Sequence, residues 1–116
     1  VLQYKSVEAL SIPEAADALG VRHRDIRSMI ADGALVGFKD ERGFEIPTVF
    51  LLMDGRKAHL LSSLKGTVTT LRDSGLTDEE AVEWLLTVHD ELGIRPIDAL
   101  RSGNVHGVRR AAQLAF

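Results

Sequence analysis

Three arginines and a histidine fall within the run Arg22-His23-Arg24-Asp25-Ile26-Arg27, with Asp25 as the only acid among them. A guanidinium can give two parallel hydrogen bonds to guanine or clamp a phosphate, so these residues point to nucleic-acid contact. The remaining titratable groups form no catalytic or metal-binding pattern. His23, His59, His89 and His106 have no short metal-ligand spacing, and the chain has no cysteine, which excludes disulfides and thiolate sites. No P-loop, dinucleotide-binding glycine motif, nucleophile elbow or H-E-x-x-H motif occurs. Asp78-Glu79-Glu80 offers adjacent carboxylates. Negative charge in the first turn of a helix has a simpler cause, since it complements the helix dipole. The expectation is a protein that is not an enzyme, with no catalytic residue, cofactor or metal.

The basic run needs a helix to present it. Ile26, Met29 and Ile30 share one face of a helix predicted from Arg22 to Ala31, which leaves Arg24, Arg27, Ser28 and Ala31 facing outward. Ser28 and Ala31 are small enough to let such a helix lie close to base edges. Arg22 and His23 sit at its N-terminal end, where free backbone N–H groups favour phosphate. Arg22 also takes the capping position, where Ser or Thr is common. Arginines on a solvated helix face are ordinary, so the neighbouring elements must decide.

Upstream, Ser11 and Glu14 have capping-box spacing, Pro13 suits a first helical turn, and Ile12, Ala15, Ala16 and Leu19 recur at helical intervals before Gly20. Downstream, Leu35–Lys39 and Phe44–Pro47 flank the polar turn Asp40-Glu41-Arg42-Gly43 and predict a hairpin. Pro47 is expected to open a helical turn through Met53. Helix, turn, helix, hairpin is the order of a winged helix-turn-helix. Lys39 and Arg42 would then touch the backbone of an adjacent groove, although Asp40 and Glu41 oppose the same phosphates. Lys5, Arg56 and Lys57 are further cations for which the sequence gives no position.

Asp54-Gly55-Arg56-Lys57 reads as a linker, dividing a DNA-binding unit, residues 1–57, from a helical one, residues 58–116. In the second, Leu64, Val68 and Leu71 are helically spaced up to Gly75. Thr77 and Glu80 repeat the capping box, Pro96 opens a short helix closed by Gly103, and Val105–Ala115 forms the last. Trp84, Leu85 and Leu86 are expected at the centre of a small core, with Arg109 and Arg110 solvating the final helix. The predicted fold is mainly α, a winged helix-turn-helix with a short β-hairpin wing packed on a small helical C-terminal domain.

Composition agrees with a globular chain: 116 residues, 45% hydrophobic and 27% charged. The net charge of −3 argues against general nucleic-acid coating and makes any basic surface local. The apolar runs are far shorter than a bilayer span, and Val1–Ser6 has no signal pattern, so a cytoplasmic location is expected. The chain begins almost at the fold, which predicts a missing or very short N-terminal tail. With no heptad pattern, the sequence leaves monomer and dimer equally open.

Leu10–Pro47 resembles the winged helix-turn-helix of a small actinobacterial DNA-binding family found in mycobacteria and relatives. The likeness is sharper in Leu71-Arg72-Asp73-Ser74-Gly75, Glu80-Ala81-Val82-Glu83-Trp84-Leu85, Arg95-Pro96-Ile97-Asp98-Ala99-Leu100 and Arg109–Phe116, which are similar to that family's C-terminal domain. The resemblance implies a double-stranded DNA partner, a role in transcription regulation, and DNA contacts at Arg22, His23, Arg24 and Arg27. Trp84-Leu85, Gly93-Ile94-Arg95-Pro96 and Ile97–Leu100 are also similar to the toxin-binding domain of a class of antitoxins. This second likeness implies a protein partner held by the C-terminal domain.

Overall fold

The structure is a computed structural model that describes residues 7–116. Its elements run β1 (Ala9–Leu10), α1 (Ile12–Leu19), α2 (His23–Asp32), β2 (Phe38–Asp40), β3 (Gly43–Pro47), a 3₁₀ turn (Thr48–Phe50), β4 (Leu51–Asp54) and β5 (Lys57–Leu60). Four helices follow, α3 (Leu64–Asp73), α4 (Asp78–Leu86), α5 (Pro96–Arg101) and α6 (Val105–Ala115). The fold is mainly α with two small antiparallel sheets.

Local chemistry sets the helix ends. At α1 the Ser11 hydroxyl accepts from the Glu14 amide at 3.2 Å, while the Glu14 carboxylate accepts from the Ser11 amide at 2.9 Å. Gly20, at φ +71°, turns the chain left-handed so that the Val21 amide donates to the Ala16 carbonyl at 3.0 Å. A side chain would disfavour that conformation, and the abrupt turn lets α2 start three residues later. Helix α2 begins at His23, with Arg22 as its extended capping residue, and Gly33 ends it. The expected capping pair at Thr77 and Glu80 forms at α4, with bonds of 3.1 and 2.9 Å.

The first sheet has the order β1-β3-β2, with Leu10 opposite Ile46 and Phe38 opposite Glu45. Its hairpin is tighter than the sequence predicts, because Asp40 pairs with Gly43 and only Glu41 and Arg42 remain in the turn. Leu35 and Val36 precede the strand and are fully buried there. Gly37 is required by close approach, since a Cβ would strike the Glu45 carbonyl and the Phe44 ring.

Two expectations fail after Pro47. The helical turn stops at Phe50, and Leu51–Asp54 is a strand paired with Lys57–Leu60, Leu52 opposite His59 and Asp54 opposite Lys57. The stretch predicted as a linker is therefore the tip of a second hairpin. A polar segment with one glycine suits either structure. The apolar residues on both sides decide it, because Leu51 and Ala58 are buried against α1.

Two apolar clusters hold the molecule. Ala15, Ala16, Ile26, Leu35, Ile46, Leu51 and Ala58 form one. The other joins Val36, Phe38 and Phe50 to Leu64, Val68, Leu71, Val82, Leu85, Ile97 and Val108. Phe44 and Ile46 of β3 join the first cluster, whereas Phe38 of the neighbouring β2 joins the second. Trp84 is not the centre expected of it: Ala81, Val82 and Leu85 are fully buried, whereas Trp84 is half-buried. Its ring meets His89 edge-on at 5.7 Å and lines an open cleft of about 470 Å³ with Leu76, Thr87 and Phe116.

Candidate nucleic-acid interface

Helix α2 is anchored by Ile26, which is fully buried, and by the half-buried Met29 and Ile30. That anchoring leaves His23, Arg24, Arg27, Ser28 and Ala31 exposed. The helix start is only half capped by side chains. The Asp25 carboxylate accepts from the Arg22 amide at 2.9 Å, but a guanidinium cannot accept in return. The Arg22 side chain is 73% exposed and reaches Asp25 only at 3.8 Å. It remains available to an anion at the amide-rich end of α2.

Charge around α2 is asymmetric. Arg24 and Arg27 make no ion pair among the described residues. Ser28 lies on the opposite flank and lines a shallow cavity with Val21, Asp25, Met29 and Asp32. The outward face therefore has a basic side, Arg24 and Arg27, and an acidic edge beside Ser28. Asp32 is partly offset by Lys65, whose ammonium lies 2.9 Å away.

The β2–β3 hairpin places Lys39 on an exposed strand position without an ion pair among the described residues. Arg42 occupies the turn, 78% exposed, with Asp40 at 3.6 Å and Glu45 at 3.4 Å. The Arg42 amide also donates to Asp40 at 2.9 Å. This tip is self-neutralised. Arg56 and Lys57, which the sequence could not locate, sit at and beside the tip of the β4–β5 hairpin. Lys5 lies outside the described residues.

Sequence reasoning missed the cations that hold α2 in place from the other cluster. Arg72, on α3, donates at 2.8 Å to the Ile30 carbonyl and at 3.1 Å to that of Ala31, both in the last turn of α2. The same guanidinium makes two 2.9 Å bonds to the Asp78 carboxylate at the start of α4. Arg101, on α5, donates to the carbonyls of Val49 and Leu51. These contacts join residues 41 to 52 apart, and no local pattern signals them. Arg95 forms a local pair with Asp98, at 2.7 and 2.9 Å, which holds its guanidinium above its ordinary pKa.

Among the described residues, no group of three or more His, Asp or Glu could hold a metal ion. No helix among the described residues is long and apolar enough to cross a membrane. The fold and surface define a small, mainly α protein whose exposed second helix carries two arginines, Arg24 and Arg27, without an ion pair among the described residues. Residues 61–115 match the family described as the Rv2175c C-terminal domain, a domain of unknown function. The protein named DNA-binding protein Rv2175c, from Mycobacterium tuberculosis, is 32% identical over 114 aligned residues, covering 88% of this chain and 76% of that protein. The NMR structure of Rv2175c superposes with a TM-score of 0.79 at 29% identity, covering 96% of this chain and 83% of that one. The chain belongs to the mycobacterial Rv2175c-type DNA-binding protein family.

Proposed function

We propose that the protein is a non-enzymatic, double-stranded DNA-binding protein and a transcriptional regulator, with α1 and α2 acting as a winged helix-turn-helix. The observation that carries this reading is that Arg24 and Arg27, exposed and without an ion pair among the described residues, lie on a helix whose opposite face is anchored by Ile26. The relative's printed name supports the same partner. In this reading α2 lies in the major groove, Arg24 and Arg27 reach base edges, and Arg22 and His23 meet phosphate at its N-terminus. Ser28 completes the outward face, while Lys39 and Arg42 contact backbone from the β2–β3 hairpin.

Selecting bound duplexes from a random pool supplies the preferred sequence, and salt titration of variants then tests the roles. Arg24→Ala or Arg27→Ala should cost about 1–3 kcal/mol, mainly on the preferred duplex. Lys39→Ala should weaken all duplexes equally and flatten the slope of log affinity against log salt by roughly one. If Arg24→Ala and Arg27→Ala bind preferred and scrambled duplexes as the parent does, α2 is not the reader.

A second reading, a protein-interaction module, is favoured by the cleft at Trp84, where Leu76 and Phe116 give an apolar lining and Glu80 and Glu83 an acidic rim. Trp84 is the only tryptophan, so its fluorescence reports occupancy directly. A basic amphipathic peptide that shifts that emission saturably would support this reading.

A further inference from the structure

The β4–β5 hairpin has no role in the reading above, yet its placement is specific. Lys57, Ala58 and His59 line one cavity with Asp17, Ala18, Leu19 and Gly20, which are the end of α1 and the turn into α2. The start of β5, next to the hairpin tip, therefore lies beside the turn that leads into Arg22, His23 and Arg24. Within β5, Ala58 faces the core, whereas Lys57 and His59 are exposed on the opposite side. Arg56 is exposed in the turn itself, and neither it nor Lys57 is in an ion pair among the described residues.

The two hairpins differ in sign. The β2–β3 hairpin carries Lys39 and Arg42 together with Asp40, Glu41 and Glu45, and Arg42 is already held by two of these acids. At the β4–β5 tip, Arg56 and Lys57 face only Asp54 on the hairpin, with Asp17 across the cavity. We propose that the β4–β5 hairpin is the principal backbone-gripping arm of this protein, with Arg56 and Lys57 binding phosphates that flank the segment contacted by the N-terminal end of α2. The proposal rests on α2 being the DNA-reading helix.

Phosphate contacts release counterions, so their number is read from salt dependence at about −0.9 per contact. About four contacts from α2 and the β2–β3 hairpin give a slope near −3.6, and two more from Arg56 and Lys57 bring it to about −5.4. The experiment is a salt titration of the full chain on a mixed-sequence duplex of about 20 base pairs, long enough for phosphates on both sides of a groove. It compares parent, Arg56→Ala/Lys57→Ala and Arg24→Ala/Arg27→Ala, with thermal melts showing that each is folded. The expected result is a slope flattened by about 1.8 in the hairpin variant on every duplex, with an unchanged melt. If that variant keeps the parent slope while the α2 variant loses binding, the hairpin proposal is overturned and the α2 reading stands. A parent that binds no duplex overturns both.

Discussion

Replacing Arg72 by Met keeps the aliphatic stem and removes the guanidinium, which isolates what its four hydrogen bonds do. Two go to the Asp78 carboxylate and two to the last carbonyls of α2. The Arg72 side chain is 26% exposed and that of Asp78 37%, so the ion pair is partly screened and contributes about 0.5–1 kcal/mol. The bonds to the carbonyls add roughly 1 kcal/mol each, because a net hydrogen bond falls near that value and leaving an acceptor unpaired costs more. Arg72→Met should therefore lose about 2–3 kcal/mol, a large part of the ~5–15 kcal/mol typical of a domain. At about 4 °C per kcal/mol for a chain of this size, the melting temperature should fall by roughly 8–12 °C. Asp78→Asn should cost only about 1 kcal/mol, since the carbonyl bonds survive it. Urea denaturation of both single variants and the double variant measures these terms and their coupling. If Asp78→Asn costs as much as Arg72→Met, or Arg72→Met costs under ~0.5 kcal/mol, the carbonyl bonds do not hold α2 and the reasoning fails.

Two further perturbations test the local geometry. Gly37→Ala would drive a methyl group into the Glu45 carbonyl and the Phe44 ring, and urea denaturation should show a loss of about 1–3 kcal/mol. Ser11→Ala removes the α1 cap, and the same method should give a loss of about 1 kcal/mol. The cap also has a pH signature, because bonds from the Ser11 amide and hydroxyl hold the Glu14 carboxyl below its ordinary value. Its stabilisation is full above the unfolded carboxyl pKa and is lost as pH falls through the depressed folded value. NMR titration of Glu14 should show its pKa rising in Ser11→Ala.

Read alone, the sequence settles what is local. Capping depends on residues three apart, so Ser11 with Glu14 and Thr77 with Glu80 fix two helix starts. A helix face depends on a 3.6-residue repeat, so Ile26, Met29 and Ile30 turned Arg24 and Arg27 outward. The helices from Leu64 onward follow for the same reason. Tertiary structure alone decides what depends on distant partners. Asp54–Lys57 has the composition of a linker, and only the burial of Leu51 and Ala58 against α1 makes it a hairpin. Trp84 has the hydrophobicity of a core residue, but the smaller Ala81, Val82 and Leu85 take the inward face of α4. Arg72 and Arg101 look like surface charges until folding brings carbonyls 41 to 52 residues away within bonding distance. Charge is likewise assigned by contact, since Arg42 and Arg24 are the same residue type and only the folded chain neutralises one and leaves the other without an ion pair among the described residues. A side chain's local spacing is carried by the chain itself, whereas its partners exist only after the clusters have packed.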